Sequence, residues 1–530
     1  MVKYNSLRKY NNHKGEWIMK QQKRKVQVSL SILLAAVMLI GMCAVLPVTA
    51  AGAKTSGDYE YENINDGTVR ITGYTGTDDI ITIPSEIDGK KVSRIGIGAF
   101  WGCTSLTSVK IPETVTGLEV SAFSGCTSLA GIDIPNSVTS IEMNAFGNCT
   151  SLTSIKIPES VVSIGSEAFR DCRKLTGIKI PKKVTKIASA AFVSCVSLTD
   201  VEIPQGVTSI GESAFLNCSN LTEITIPSSV TELGGQAFRN CTRLTGVKIP
   251  EGVTSIEECT FISCKSLTNI EIPQGVTSIG GVAFEDCASL AEIKIPDSVT
   301  SIGVGAFLDC TSLADIDIPE GVTSIEKNTF KNCTSLTSIK IPESVVSIGS
   351  EAFQGCRKLT GVKIPEGVTS IEECTFISCV SLIDVEIPQG VTSIGGSAFY
   401  DCSNLTKVTI PRSVETIGYH AFGYKNMIPN DGFQYGKIDN FTICGYKGTP
   451  AQAYANDNGF LFIAEVVLGD ADLDGEIKVA DVLLMQKVIA KIIQPSEEQI
   501  EAGDIDHDGT ITVKDVLSVQ KYLAKIIPNL

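Results

Sequence analysis

The residues best suited to chemistry lie near the C-terminal end of the 530-residue chain. Asp470-Ala-Asp472-Leu-Asp474-Gly475-Glu476-Ile-Lys478-Val-Ala-Asp481 sets acids at positions 1, 3, 5 and 12 of a loop, with glycine at position 6. Thirty-four residues later, Asp504-Ile-Asp506-His-Asp508-Gly509-Thr510-Ile-Thr512-Val-Lys-Asp515 repeats that spacing. Calcium needs several hard oxygens converging at about 2.3–2.6 Å, a tight glycine turn, a main-chain carbonyl at position 7 and a carboxylate at 12. Four carboxylates drawn together repel one another unless a cation offsets them. One such loop would read as a solvated turn; two in register, each feeding an amphipathic helix, read as sites for two calcium ions. The predicted ligands are Asp470, Asp472, Asp474, Glu476 and Asp481 in the first loop, and Asp504, Asp506, Asp508, Thr510, Thr512 and Asp515 in the second. Lys478 occupies position 9, where an oxygen is usual, so the first site is expected to be the weaker.

The elements that must hold these loops are helices expected over 480–493 and 513–527. A linking helix should begin at Ser496-Glu-Glu-Gln499, a capping-box signature. Upstream the chain is organised by a 23-residue unit, typified by Ser151-Leu-Thr-Ser-Ile-Lys-Ile-Pro-Glu-Ser-Val-Val-Ser-Ile-Gly-Ser-Glu-Ala-Phe169. A phenylalanine recurs at that interval from Phe100 to Phe422. A fixed period of this size marks a solenoid, because one coil cannot bury its own apolar face and must stack on its neighbours. Counting from each phenylalanine, apolar residues at +9 and +11 read as a short half-buried strand, and those at +15 and +18 as a second segment. Proline at +12 (Pro112, Pro135, Pro158) ends the strand, having no N–H to offer the next coil. The fold class is therefore an α/β repeat solenoid, mostly short parallel strands and turns, followed by a small all-α domain. The expected boundaries are an N-terminal cap and first coil over 54–99, repeats over 100–422, a C-terminal cap over 423–466 and the tail over 467–530. The Asp66-Gly67 turn marks a hairpin in the first cap. Thr449, Pro450 and Gly459 bound a short helix in the second.

The net charge of −15 argues against nucleic acid, which calls for clustered Lys and Arg. Lys20, Lys23, Arg24 and Lys25 before the apolar run Leu30–Leu46 read as an export signal over 1–53, with Met19 a possible start. The mature chain is thus expected to be secreted, without a membrane segment. Fourteen of 18 cysteines sit three residues after a repeat phenylalanine. That places them inside the coils as small hydrophobes, expected as free thiols; Cys259, Cys374 and Cys444 lie off this ladder. Outward strand positions carry mixed charges and no aromatic ring, which disfavours a carbohydrate-binding face. Ile249–Phe261 and Ile364–Phe376 are identical, as suits recent duplication more than a tailored site. Only three histidines exist, none partnered as a catalytic arrangement needs, and a non-enzyme is expected.

The pattern Leu-Thr-x-Ile-x-Ile-Pro-x-x-Val-Thr-x-Ile-Gly-x-x-Ala-Phe-x-x-Cys resembles the BspA-like leucine-rich repeat family over about 57–465. The resemblance implies a curved surface for protein or cell-surface contacts. The tail differs from an EF-hand in having Asp at position 12 and an extended Val466-Val467-Leu468 in place of an entering helix. It resembles the type I dockerin of cellulosomes over about 467–528. That resemblance implies calcium-dependent binding to a cohesin module of a scaffoldin, through loop positions 10, 11, 17, 18 and 22. Those positions fall on Val479, Ala480, Gln486, Lys487 and Lys491, and on Val513, Lys514, Gln520, Lys521 and Lys525. The two sets nearly repeat, which points to two binding orientations related by a half-turn. The expectation is a secreted, non-catalytic cellulosome component. The alternatives are a cell-surface adhesin and an accessory or inhibitor of polysaccharide-degrading or proteolytic enzymes.

Overall fold

Apolar side chains recurring every 23 residues stack when successive coils lie one above the next, and the register shows that they do. The computed structural model describes residues 54–427, 435–473 and 476–530; the expected signal over 1–53, and Asp474 with Gly475, lie outside the described residues. Gly177, Ile178 and Lys179 pair in parallel with Asp200, Val201 and Glu202, an offset of one repeat. In each such strand the central Val or Ile is buried and its neighbours point outward. A second column of two-residue strands, such as Ser209–Ile210 against Glu232–Leu233, closes the coil. No described helix is long and apolar enough to cross a membrane.

The phenylalanines form one continuous stack. From Phe100 to Phe422 neighbouring rings are 4.8–5.7 Å apart and nearly parallel, with interplanar angles of 1–15°. Rings this size dominate core burial, and offset stacking adds to it. Tyr74 and then Tyr59 continue the column at the N-terminal end. Tyr454 ends it edge-on against Phe422 and bonds that residue's main chain twice, accepting from its N–H at 3.0 Å and donating to its carbonyl at 2.9 Å.

The cysteine ladder does more than fill space. From Cys126 to Cys402 each ladder thiol donates to the phenylalanine carbonyl 26 residues earlier, as Cys241 Sγ does to Phe215 O at 3.3 Å. Burial pushes that thiol up to about 12, so it stays protonated. The cysteines among the described residues are free.

Turning the chain around the phenylalanine requires left-handed backbone two residues before it and two after. Asn144 and Asn148 flank Phe146 at φ 57° and 59°. Asn, Asp, Ser and Gly tolerate this region, but Val282 also occupies it at φ 49°, where a branched Cβ is strained. The off-ladder Cys259 and Cys374 stand at the same turn position, at φ 63° and 61°.

The caps follow the sequence with one departure. The strands Tyr59–Asn63 and Val69–Tyr74 pair antiparallel around the Asp66-Gly67 turn. Helix α1 (Pro450–Asn458) ends at Gly459 with φ +64°, as expected. Thr449 sits at its N-cap, but its hydroxyl makes no cap bond and donates instead to Tyr446 O at 2.6 Å.

Candidate calcium loops and partner face

The tail has its own core, separate from that of the solenoid. Ala471, Val482, Met485, Ile511, Val516 and Val519 are buried together. They come from both loops and from helices α2 (Val479–Ile489) and α4 (Val513–Leu523). Helix α3 (Glu497–Gly503) links the halves; its N-cap Ser496 accepts from Gln499 N–H at 3.2 Å while Gln499 Oε1 accepts from Ser496 N–H at 3.0 Å. Lys447 of the solenoid cap pairs with Glu498 of α3.

The second loop is held by its own carboxylates. Buried Asp515 accepts from the Ile505 and Asp506 N–H groups at 2.8 and 3.1 Å through one oxygen. Its other oxygen accepts from the Thr512 N–H and hydroxyl, both at 2.8 Å. Burial alone would raise its pKa; the bonds from Thr512, Asp506 and Ile505 outweigh that and hold it below the usual value. Asp504 accepts from Asp508 N–H at 3.1 Å and Gly509 N–H at 2.6 Å, and Gly509 takes the glycine-favouring φ of +90°. His507 and Leu473, both at position 4, share the left-handed region at 56° and 61°. The two loops therefore have the same path there.

Carboxylate oxygens of Asp504, Asp506 and Asp508 lie within 4.8 Å of one another, as do those of Asp470, Asp472 and Asp481. The position-12 aspartate of each loop also holds that loop's main chain, Asp515 through the bonds given above. Asp481 is also engaged, accepting from Asp472 N–H at 3.0 Å and Lys478 N–H at 2.6 Å. Glu476 turns its side chain to Lys478 Nζ at 2.5 Å. Thr510 spends its hydroxyl on Asp508 at 2.8 Å, and Thr512 caps α4 by accepting from Lys514 N–H at 3.2 Å. Among the described residues no Lys or Arg is ion-paired with Asp504, Asp506, Asp508 or Asp515. Clustered hard oxygens without a side-chain cation fit a calcium ion.

The ten residues carried over as partner contacts are all exposed: Val479, Ala480, Gln486, Lys487 and Lys491, and Val513, Lys514, Gln520, Lys521 and Lys525. The helices stop four residues earlier than the sequence reading placed them, at Ile489 and Leu523. Lys491 and Lys525 accordingly lie beyond the helices, in left-handed turns at φ 57°. There the Ile492 and Ile526 N–H groups return to the Lys487 and Lys521 carbonyls, each at 2.8 Å. The sequence reading passed over Leu483, Leu517, Ile492 and Ile526, large apolar residues left exposed. Their signal was the same 34-residue offset.

A stacked, leucine-rich solenoid and a duplicated acidic-loop domain define a two-part interaction protein. The BspA type leucine rich repeat region, six copies, matches over residues 79–199, 185–314 and 301–429, and the chain belongs to that family. A dockerin type I domain matches over 468–524. Among solved structures, the chain is similar to a leucine-rich repeat protein from Bacteroides ovatus, at 30% identity and TM-score 0.57, covering 68% of this chain and 95% of that one. It is also similar to a leucine rich cell surface protein from Faecalibacterium prausnitzii, at 35% identity and TM-score 0.46, covering 64% of this chain and 95% of that one. No curated protein matches. Both families are non-catalytic interaction modules: dockerin type I domains bind calcium and cohesins, and leucine-rich repeats bind proteins.

Proposed function

We propose that this is a secreted, non-catalytic cellulosome component, in which residues 467–530 dock into a scaffoldin cohesin and the repeats present a protein- or cell-surface-binding face. The observation that carries the reading is the doubled recognition surface. Helices α2 and α4 expose Val479 and Val513, Gln486 and Gln520, and Lys487 and Lys521 at matching places, each helix fed by an acidic loop. Bound calcium would neutralise the clustered carboxylates and so fix the start of each helix. This chain's own contribution is the Asp481 and Asp515 bonds that tie each loop to its helix. Two such surfaces, half a turn apart, would let the domain bind in either orientation.

The test is calorimetric titration followed by capture on an immobilised type I cohesin. The parent should take up two calcium equivalents and be captured only with calcium present. Asp504→Ala with Asp508→Ala should take up one equivalent and bind more weakly. Failure of capture at saturating calcium would overturn the reading.

A further inference from the structure

The outward strand column of the solenoid begins at Ile80–Thr82 and ends at Leu461–Ala464. Among the described residues each of these strands is paired along one edge only. Ile80–Thr82 lies against Ser108–Lys110, and Leu461–Ala464 against Thr442–Gly445. Ile80 is in register with Ser108, and Leu461 with Thr442. In the coils between, that register position is polar or glycine, as at Gly131, Asp200, Asn269, Asp384 and Lys407. Among the described residues, this strand column places large apolar residues outward at its two ends: Ile80 is 66% exposed, Leu461 58% and, two residues on, Ile463 46%. This inverts the usual arrangement, in which open edges carry charge to discourage pairing.

We infer that the two ends bind each other between copies of this chain. The strand Leu461–Ala464 of one chain adds in parallel to Ile80–Thr82 of a second copy, with Leu461 beside Ile80 and Ile463 beside Thr82. The occupant follows from the edges themselves. The main-chain groups along these open edges call for another strand, which would take Thr82 O in place of the Tyr59 hydroxyl 3.4 Å from it. Both strands run in the sense of the coil ladder, so shifting a copy along the solenoid axis continues the same parallel register. Each open edge then gains an apolar neighbour matched to its own. The contact is head-to-tail, so each bound chain keeps one free end and growth can continue. It is also short, and parallel pairing is the weaker kind. The cap helix α1 with Tyr454 confines it to the strand column. Asp470 and Leu473 of the first loop line a pocket with Ala464 at the end of this strand, but no calcium ligand takes part in the proposed pairing.

Sedimentation equilibrium of the full secreted chain tests this, in a series reaching about 1 mM because small interfaces associate weakly. The mass should rise with concentration, and Leu461→Lys or Ile80→Lys should each lower the association constant by about tenfold or more. Mixing those two variants should restore association but stop it at a dimer, since each retains one intact end. Ile463→Glu is a second tail variant, and unchanged thermal transitions establish that the variants fold. A chain that stays monomeric throughout, variants that associate like the parent, or a mixture that does not dimerise would each overturn the inference.

Discussion

The solenoid and the C-terminal domain both arise by duplication, at 23 and 34 residues, yet their copies are held together by opposite means. In the solenoid each copy contributes neutral groups to a shared interior: a ring on the phenylalanine stack, a thiol on a carbonyl, a strand on a strand. Every added coil strengthens its neighbours. In the tail each copy contributes a cluster of like charges, and Asp470, Asp481, Asp504 and Asp515 are buried. Adding the second copy adds repulsion that its apolar core, much smaller than the solenoid's, must absorb. Repetition adds neutral contacts in the first region and like charge in the second, which a bound cation would offset.

Chelation tests the contrast most severely. Removing calcium should abolish the thermal transition of the tail and leave that of the solenoid in place; a solenoid transition that moves equally would break the comparison. The next largest effect should come from opening the stack. Phe238→Ala leaves a hole between Phe215 and Phe261 and should cost about 3–5 kcal/mol in denaturant unfolding, with no change in calcium uptake. A smaller effect concerns the C-terminal cap. His420 is stacked between Tyr419 and Tyr424, with centroids 3.7 and 3.9 Å away, and burial pushes its pKa down from 6.5 to about 4. The unfolded chain binds this proton more readily than the folded one, so cap stability should fall as pH drops from 6.5 to about 4 and level off below. His420→Asn, which keeps a residue tolerant of φ 53°, should flatten that slope in hydrogen exchange of the cap. The smallest effect is a gain. Val282→Asn relieves the left-handed strain that Asn144 and Asn328 accommodate at the same turn, and should stabilise by about 1 kcal/mol in thermal unfolding.

Period and polarity made much of this legible. Phe100 to Phe422 and the fourteen ladder cysteines announced an interior column because stacked coils bring equal offsets together. The Asp-x-Asp-x-Asp-Gly loops announced cation chemistry by spacing alone. What stayed hidden depends on backbone shape. The left-handed turn before each phenylalanine is filled by Gly, Ser, Asn, Glu, Ala, Gln, Cys, Val or His, so no residue type flags it, and Cys259 and Cys374 had no evident place until φ was known. The helix ends were misplaced because Lys491 and Lys525, which continue a helical pattern by type, are the residues that turn out of it. The bonds that tie each position-12 aspartate to its loop were equally unreadable, since spacing does not say which N–H groups Asp481 and Asp515 accept.

The thiol-to-carbonyl ladder has a practical consequence. Because each ladder sulfur from Cys126 to Cys402 holds a neighbouring coil's main chain, and burial keeps thiols such as Cys241 protonated, maturation of the array consumes no oxidant and needs no isomerase to sort pairings. A protein built this way can be assembled without oxygen, and adding dithiothreitol to it should change nothing.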